Sequence, residues 1–163
     1  MMSSKNDFTP DEWKALLRAP MMVGHAIAGA APSGRVGYVQ EMKAVADAIV
    51  DASEQAAAGP LVQAVVGEIR SNAAADSRGP TETVSAADIK GRAIEACGRA
   101  ASILRAKADA KEGEAYKAWL LDVGARVATA AKEGGFLGLG GARVSRGEEE
   151  VLSEIAAALE ANG

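Results

Sequence analysis

Histidine and cysteine each occur once in 163 residues, as His25 and Cys97. A lone histidine excludes His-rich metal sites and leaves no spare parts for a Ser-His-Asp nucleophile system in one chain. It also excludes the paired Glu-x-x-His segments of a di-iron bundle. A lone cysteine excludes an internal disulfide. Cys97 falls mid-helix on an apolar stripe, where it reads as core filler in a reducing compartment. No window approaches the roughly 20 uninterrupted apolar residues that span a bilayer. The apolar stretch MVGHAIAGAAP is short and begins inside the chain after an acidic DEW, unlike a signal peptide. A cytoplasmic, non-membrane protein is expected. Basic charge is not in excess either: 18 Lys+Arg against 22 Asp+Glu give −4, so no nucleic-acid partner is expected.

Aromatics make up only 4% of the chain, while hydrophobic residues reach 48% with alanine as their largest share. Alanine is the best helix former and lets helices approach closely, which favours helix packed on helix. FTPDEW is a helix start, with Thr9 as cap, Pro10 at the first position and Glu12 closing a capping box. Trp13, Leu16 and Leu17 form its apolar face. Pro20 is expected to end or kink this helix, with a second helix following from Met21 to Ala30. Val39, Met42, Val45, Ala46 and Ile49 recur at three- and four-residue steps, as do Leu61, Val62, Val65, Val66 and Ile69 behind Pro60.

The stretch from Ser71 to Val84 is the longest unpatterned one and reads as a flexible loop. A helix then restarts at Ser85 with Ile89, Ala93, Cys97, Ala100 and Leu104 inward. Tyr116, Trp119, Leu120, Val123, Val127 and Ala130 mark the strongest helical pattern, with Gly134 as its stop. Ser145 and Glu148 propose a second capping box, ahead of Val151, Leu152, Ile155 and Leu159. The expected fold is all-α, a single-domain bundle of about six or seven helices. Its N-terminal half would span residues 8–55, the loop 71–84 and the C-terminal half 85–163.

The glycines from Gly134 to Gly141 follow a helix instead of a strand, and no Gly-Lys-Ser/Thr is present. A phosphate cradle lacks its required context there, so these glycines serve turning. Phe136, Leu137 and Leu139 in that loop either plug the core or form a patch for a partner. Glu148, Glu149 and Glu150 lack the alternating pattern of an EF-hand and read as solvated charges at a helix start. His25 reads as a partly buried structural histidine. The helix beginning at Ser85 is locally basic, with Lys90, Arg92, Arg99, Arg105 and Lys107 against Asp88, Glu95 and Asp109, and is either a solvated face, as most such faces are, or a dock for an acidic partner.

An internal echo links SGRVGYVQEM to GARVSRGEEE: each follows an apolar helix, carries Arg-Val and opens a new helix. Together with the flanking FTPDEWKALLRAPMMVGHAIAGAAP and YKAWLLDVGARVATAAKEGGFLGL, these segments resemble uncharacterised bacterial helical proteins distantly similar to the tellurite-resistance TerB-like group. That group shows Asp-Gly-x-Val/Ile-Ser-x-x-Glu between helices, often twice. The second copy here reads Gly141-Ala142-Arg143-Val144-Ser145-x-x-Glu148 and the first Ser33-Gly34-Arg35-Val36-Gly37-x-x-Gln40. The resemblance covers the two ends of the chain, and Ala56 to Lys111 carries no motif of it. It implies two pseudo-repeated helical hairpins and a stress-response setting. The loop aspartate is replaced by Ser33 and Gly141, and only Glu148 stands at a matching acidic place.

The function these features suggest is a non-catalytic helical interaction module using Phe136, Leu137 and Leu139 against a protein partner. The alternative is a small-ligand or divalent-cation-binding regulatory protein with a cavity between the halves. Glu41 and Glu148 would be its acidic groups, and Trp13, His25 and Trp119 its lining. No enzyme activity and no cofactor are expected, and an Ala-rich bundle is compatible with a homo-oligomer.

Overall fold

Thr9 starts the first helix as its sequence requires. Its amide donates to Glu12 Oε2 at 2.7 Å, and the Glu12 amide donates to Thr9 Oγ1 at 3.2 Å. These are the reciprocal bonds of a capping box, which satisfies amides that a helix start leaves open. The computed structural model describes residues 3–30, 38–54, 58–75, 86–133 and 146–161, with side chains for 3–28, 43–54, 58–72, 88–129 and 148–161. The fold is an all-α bundle of six helices: α1 Pro10–Ala30, α2 Tyr38–Ser53, α3 Gly59–Ala75, α4 Ala86–Lys107, α5 Ala110–Glu133 and α6 Arg146–Ala161. A short 3-10 turn, Lys5–Asp7, precedes α1. There is no strand among the described residues.

Helices α1 and α5 form the centre, and each packs on all the other helices. They run parallel. Leu16 meets Tyr116 near their starts, and Val23 lies beside Gly124 a turn or two later. The apolar periodicity of α4, α5 and α6 is realised: Ala93, Cys97, Ala100, Leu104, Tyr116, Trp119, Leu120, Val123, Val127, Val151, Ile155 and Leu159 are all buried. In α2 the stripe sits differently from expectation. Ala46 faces water, and Ala48 and Ala52 are buried with Val45 and Ile49. One-letter spacing cannot tell which of several alanines faces in when they differ so little in size.

Pro20 does not end α1, and no separate helix starts at Met21. The helix continues unbroken from Pro10 to Ala30, and Pro20 lies buried inside it. Proline has no N–H, so the Leu16 carbonyl four residues back loses its usual partner. The Tyr116 hydroxyl donates to that carbonyl at 2.6 Å. A side chain from α5 therefore supplies the bond that α1 cannot make for itself. Of the stretch read as a loop, Ser71–Ala75 complete α3, where the Ser71 hydroxyl bonds back to the Gly67 carbonyl at 3.1 Å, and the remainder to Val84 lies outside the described residues.

The N-terminal segment is pinned across the ends of several helices. The Ser3 amide donates to Glu112 Oε2 at 2.7 Å, and Phe8 is buried against Trp13 at a ring separation of 5.8 Å. Glu68 on α3 accepts from Lys5 Nζ at 2.8 Å and from Trp13 Nε1 at 2.8 Å. Both bonds hold its carboxyl below the usual carboxylate range, that of Lys5 first.

Glycine has two uses in this bundle. Gly59 opens α3 at φ +74°, a conformation that L side chains resist. Gly67 and Gly91 are exposed within helices, and an added Cβ at either would meet nothing within 4 Å. Gly67→Ala and Gly91→Ala should each stabilise the fold by about 0.5–1 kcal/mol, read from urea unfolding midpoints, because each removes backbone freedom from the unfolded chain. Destabilisation by either change would mean that these faces are covered.

Candidate functional site

A groove lies between α1 and α4. From α1 it takes Asp11, Lys14, Ala15, Arg18 and Met22, and from α4 Arg92, Glu95, Ala96 and Arg99, around a volume of about 520 Å³. The two helices run antiparallel here: Lys107 at the end of α4 reaches Glu12 at the start of α1, at 2.6 Å. Helical spacing builds the walls. Lys14 and Arg18 are one turn apart on α1, and Arg92 and Arg99 two turns apart on α4. Ala15, Met22 and Ala96 are half-buried and form the floor, while the charged residues are exposed.

Among the described residues the groove's positive charge is only partly compensated. Four cations face two acids in a chain whose net charge is −4. None of Lys14, Arg18, Arg92 or Arg99 forms an ion pair with another described residue. Two of the three other cations read as part of a basic α4 face are paired. Lys90 lies 3.0 Å from Glu154, whose hydrogen bond is the main cause that raises its pKa, and 3.7 Å from Glu150, and Lys107 is held by Glu12. Tertiary ion pairs thus neutralise Lys90 and Lys107; Arg92 and Arg99 line the groove, and Arg105 is exposed outside it without an ion pair to another described residue. A second, smaller groove between α5 and α6, about 350 Å³ and lined by Leu121, Ala156 and Leu159, has its lysine satisfied: Lys117 pairs with Glu114 at 2.8 Å.

The residues singled out in the sequence fall elsewhere. Phe136, Leu137 and Leu139 lie outside the described residues, as do Ser33–Val36 and Gly141–Ser145 of the internal echo. Glu41 belongs to α2, with its side chain outside the description. Glu148 is 2% exposed in the first turn of α6, so it is not the solvated charge its triplet suggested, unlike Glu149 and Glu150. Trp13, His25 and Trp119 line neither groove. Trp119 stands edge-on to Tyr116 in the core and donates from Nε1 to the Ile49 carbonyl at 3.2 Å. Among the described residues no three His, Cys, Asp or Glu side chains cluster as metal ligands.

No protein-family model, curated protein sequence or solved structure matches the chain. Its site is therefore read from its own chemistry. Cys97 is fully buried and its thiol is pushed up to about 12 by loss of water, which keeps it protonated and unreactive. No helix among the described residues is long and apolar enough to cross a membrane.

His25 is half-buried, and burial lowers its pKa from 6.5. The unfolded chain then binds a proton more readily than the folded one just below that value. Stability should fall as pH drops through this window, and replacing His25 with glutamine should flatten the slope. Urea midpoints at about pH 7.5 and about pH 5.5 measure it. An unchanged slope in the variant would assign the dependence to other groups.

Proposed function

We propose that the protein is a non-catalytic helical interaction module that holds an acidic partner against the α1–α4 face. One observation carries this reading: Lys14, Arg18, Arg92 and Arg99 converge on one groove with no ion pair to any other described residue. Folded proteins usually neutralise or disperse such charge, and arginine in particular suits planar, two-point recognition of carboxylates. The half-buried floor of Ala15, Met22 and Ala96 offers apolar contact beneath the charges. A reducing, cytoplasmic setting and a stress-response role, which the TerB-like resemblance implies, belong to the same proposal.

The test uses poly-L-glutamate as probe at low ionic strength. Arg18, Arg92 and Arg99 changed together to glutamate should weaken binding by about tenfold or more, and added salt should weaken the native protein in the same direction. Thermal unfolding should hardly move, because the three side chains are exposed. Equal binding by both proteins would remove the groove as the docking surface.

A further inference from the structure

The geometry points to an amphipathic acidic helix as the partner segment, lying along the α1–α4 groove as a third rod; this rests on the reading of the groove as an acidic-partner site. From Asp11 to Met22 the groove follows α1 for about 16 Å, three turns of helix. Arg92 and Arg99 are spaced by about 10 Å along α4, and Lys14 and Arg18 by about 6 Å along α1. Carboxylates at i and i+7 of a helix running along the groove meet the first pair, and carboxylates at i and i+4 meet the second. The small alanines of the floor let a helix approach closely, and Met22 is an adaptable apolar contact for a leucine between the charged rows.

Two observations favour a helix over other anions. Glu95 sits between Arg92 and Arg99 on α4, and Asp11 stands beside Lys14 on α1. A compact polyphosphate or a uniform anionic strand meets repulsion at both points, whereas a helix can place a lysine opposite each acid. An extended peptide would also need a sheet edge to satisfy its backbone, and the described residues provide none. A helix brings its backbone bonds already made.

Synthetic peptides of about 18 residues test this by fluorescence anisotropy. The probe is an alanine-based helix with glutamates at i and i+7, a lysine between them, and leucine on the same face. Its controls are a scramble of equal composition, a copy with one central proline, and inorganic tripolyphosphate. The helical peptide should bind about tenfold or more tighter than either peptide control. Arg92→Glu with Arg99→Glu should abolish that preference, and a peptide with both facing glutamates changed to lysine should restore binding to this variant. Unchanged thermal unfolding of the variant confirms that it is folded. If scramble and helix bind alike but the variant loses both, the acidic-partner reading survives and the helical geometry is overturned. Tripolyphosphate competing as well as the helix makes the groove a small-anion site and overturns it too. Binding indifferent to the arginines overturns both readings.

Discussion

Replacing Tyr116 with phenylalanine lowers the stability of the fold by about 1–3 kcal/mol, although the ring keeps its place. Tyr116 is completely buried, and its hydroxyl is the donor to the Leu16 carbonyl at 2.6 Å. Burial raises its pKa well above 10, with the nearby Cys97 adding to the effect, so the phenol keeps its proton throughout the accessible range. Leu16 is itself fully buried, and water cannot take the hydroxyl's place without entering the core. The size of the loss follows from leaving a buried acceptor unmet, which costs more than a hydrogen bond contributes when both partners are present. The decisive measurement is a double-mutant cycle in urea. In a Pro20→Ala background the backbone N–H of residue 20 returns and can bond to Leu16, so Tyr116→Phe should cost about 1 kcal/mol less there. Equal costs in both backgrounds would show that the hydroxyl is not compensating for the proline.

Gly24→Ala is the second large effect, an expected loss of about 1–2 kcal/mol after the gain in helix propensity is subtracted. A Cβ at residue 24 would stand 2.5 and 2.8 Å from the two γ-methyls of Val45 and 3.1 Å from its Cβ. Valine branches at Cβ and is stiff, and Val45 is fully buried, so no rotation clears both methyls. Helix α2 must move away from α1. Gly124→Ala provides the contrast. There the closest atom is the Cδ2 end of Leu152 at 2.6 Å, which is only half-buried and can swing aside, and the buried Val23 Cγ1 at 3.3 Å need give by only a few tenths of an ångström. The expected order of stability is native protein above Gly124→Ala above Gly24→Ala, opposite in sign to the exposed positions Gly67 and Gly91. Chemical denaturation of the four variants checks it. A stabilising Gly24→Ala would mean that α1 and α2 are not in close contact at this point.

Helix identity was legible wherever large apolar residues recur at helical steps. Tyr116, Trp119, Leu120, Val123 and Val127 leave one face of α5 no alternative to burial, and Thr9 with Glu12 announces the cap of α1 by side-chain chemistry alone. The pattern fails where residues are alike in size, which is why spacing places Ala46 inward and passes over Ala48 and Ala52. Half of the groove was legible too, since Arg92 and Arg99 mark α4 as basic. Their partners Lys14 and Arg18 look unremarkable in α1, because nothing local says that α1 and α4 lie side by side.

Composition and periodicity settle that this chain makes amphipathic helices, because helical propensity, capping and the spacing of apolar residues are properties of neighbours along the backbone. Three things came only from packing: the continuity of α1 through Pro20, the burial of Glu148, and the pairing of Lys90 and Lys107 while Arg92 and Arg99 face the groove. Each depends on a group far away in the chain or on a face covered by another helix. Tyr116 reaches Leu16 across 100 positions, and Lys90 finds Glu154 on a different helix. Such contacts form only once the helices are assembled, and no local rule contains them.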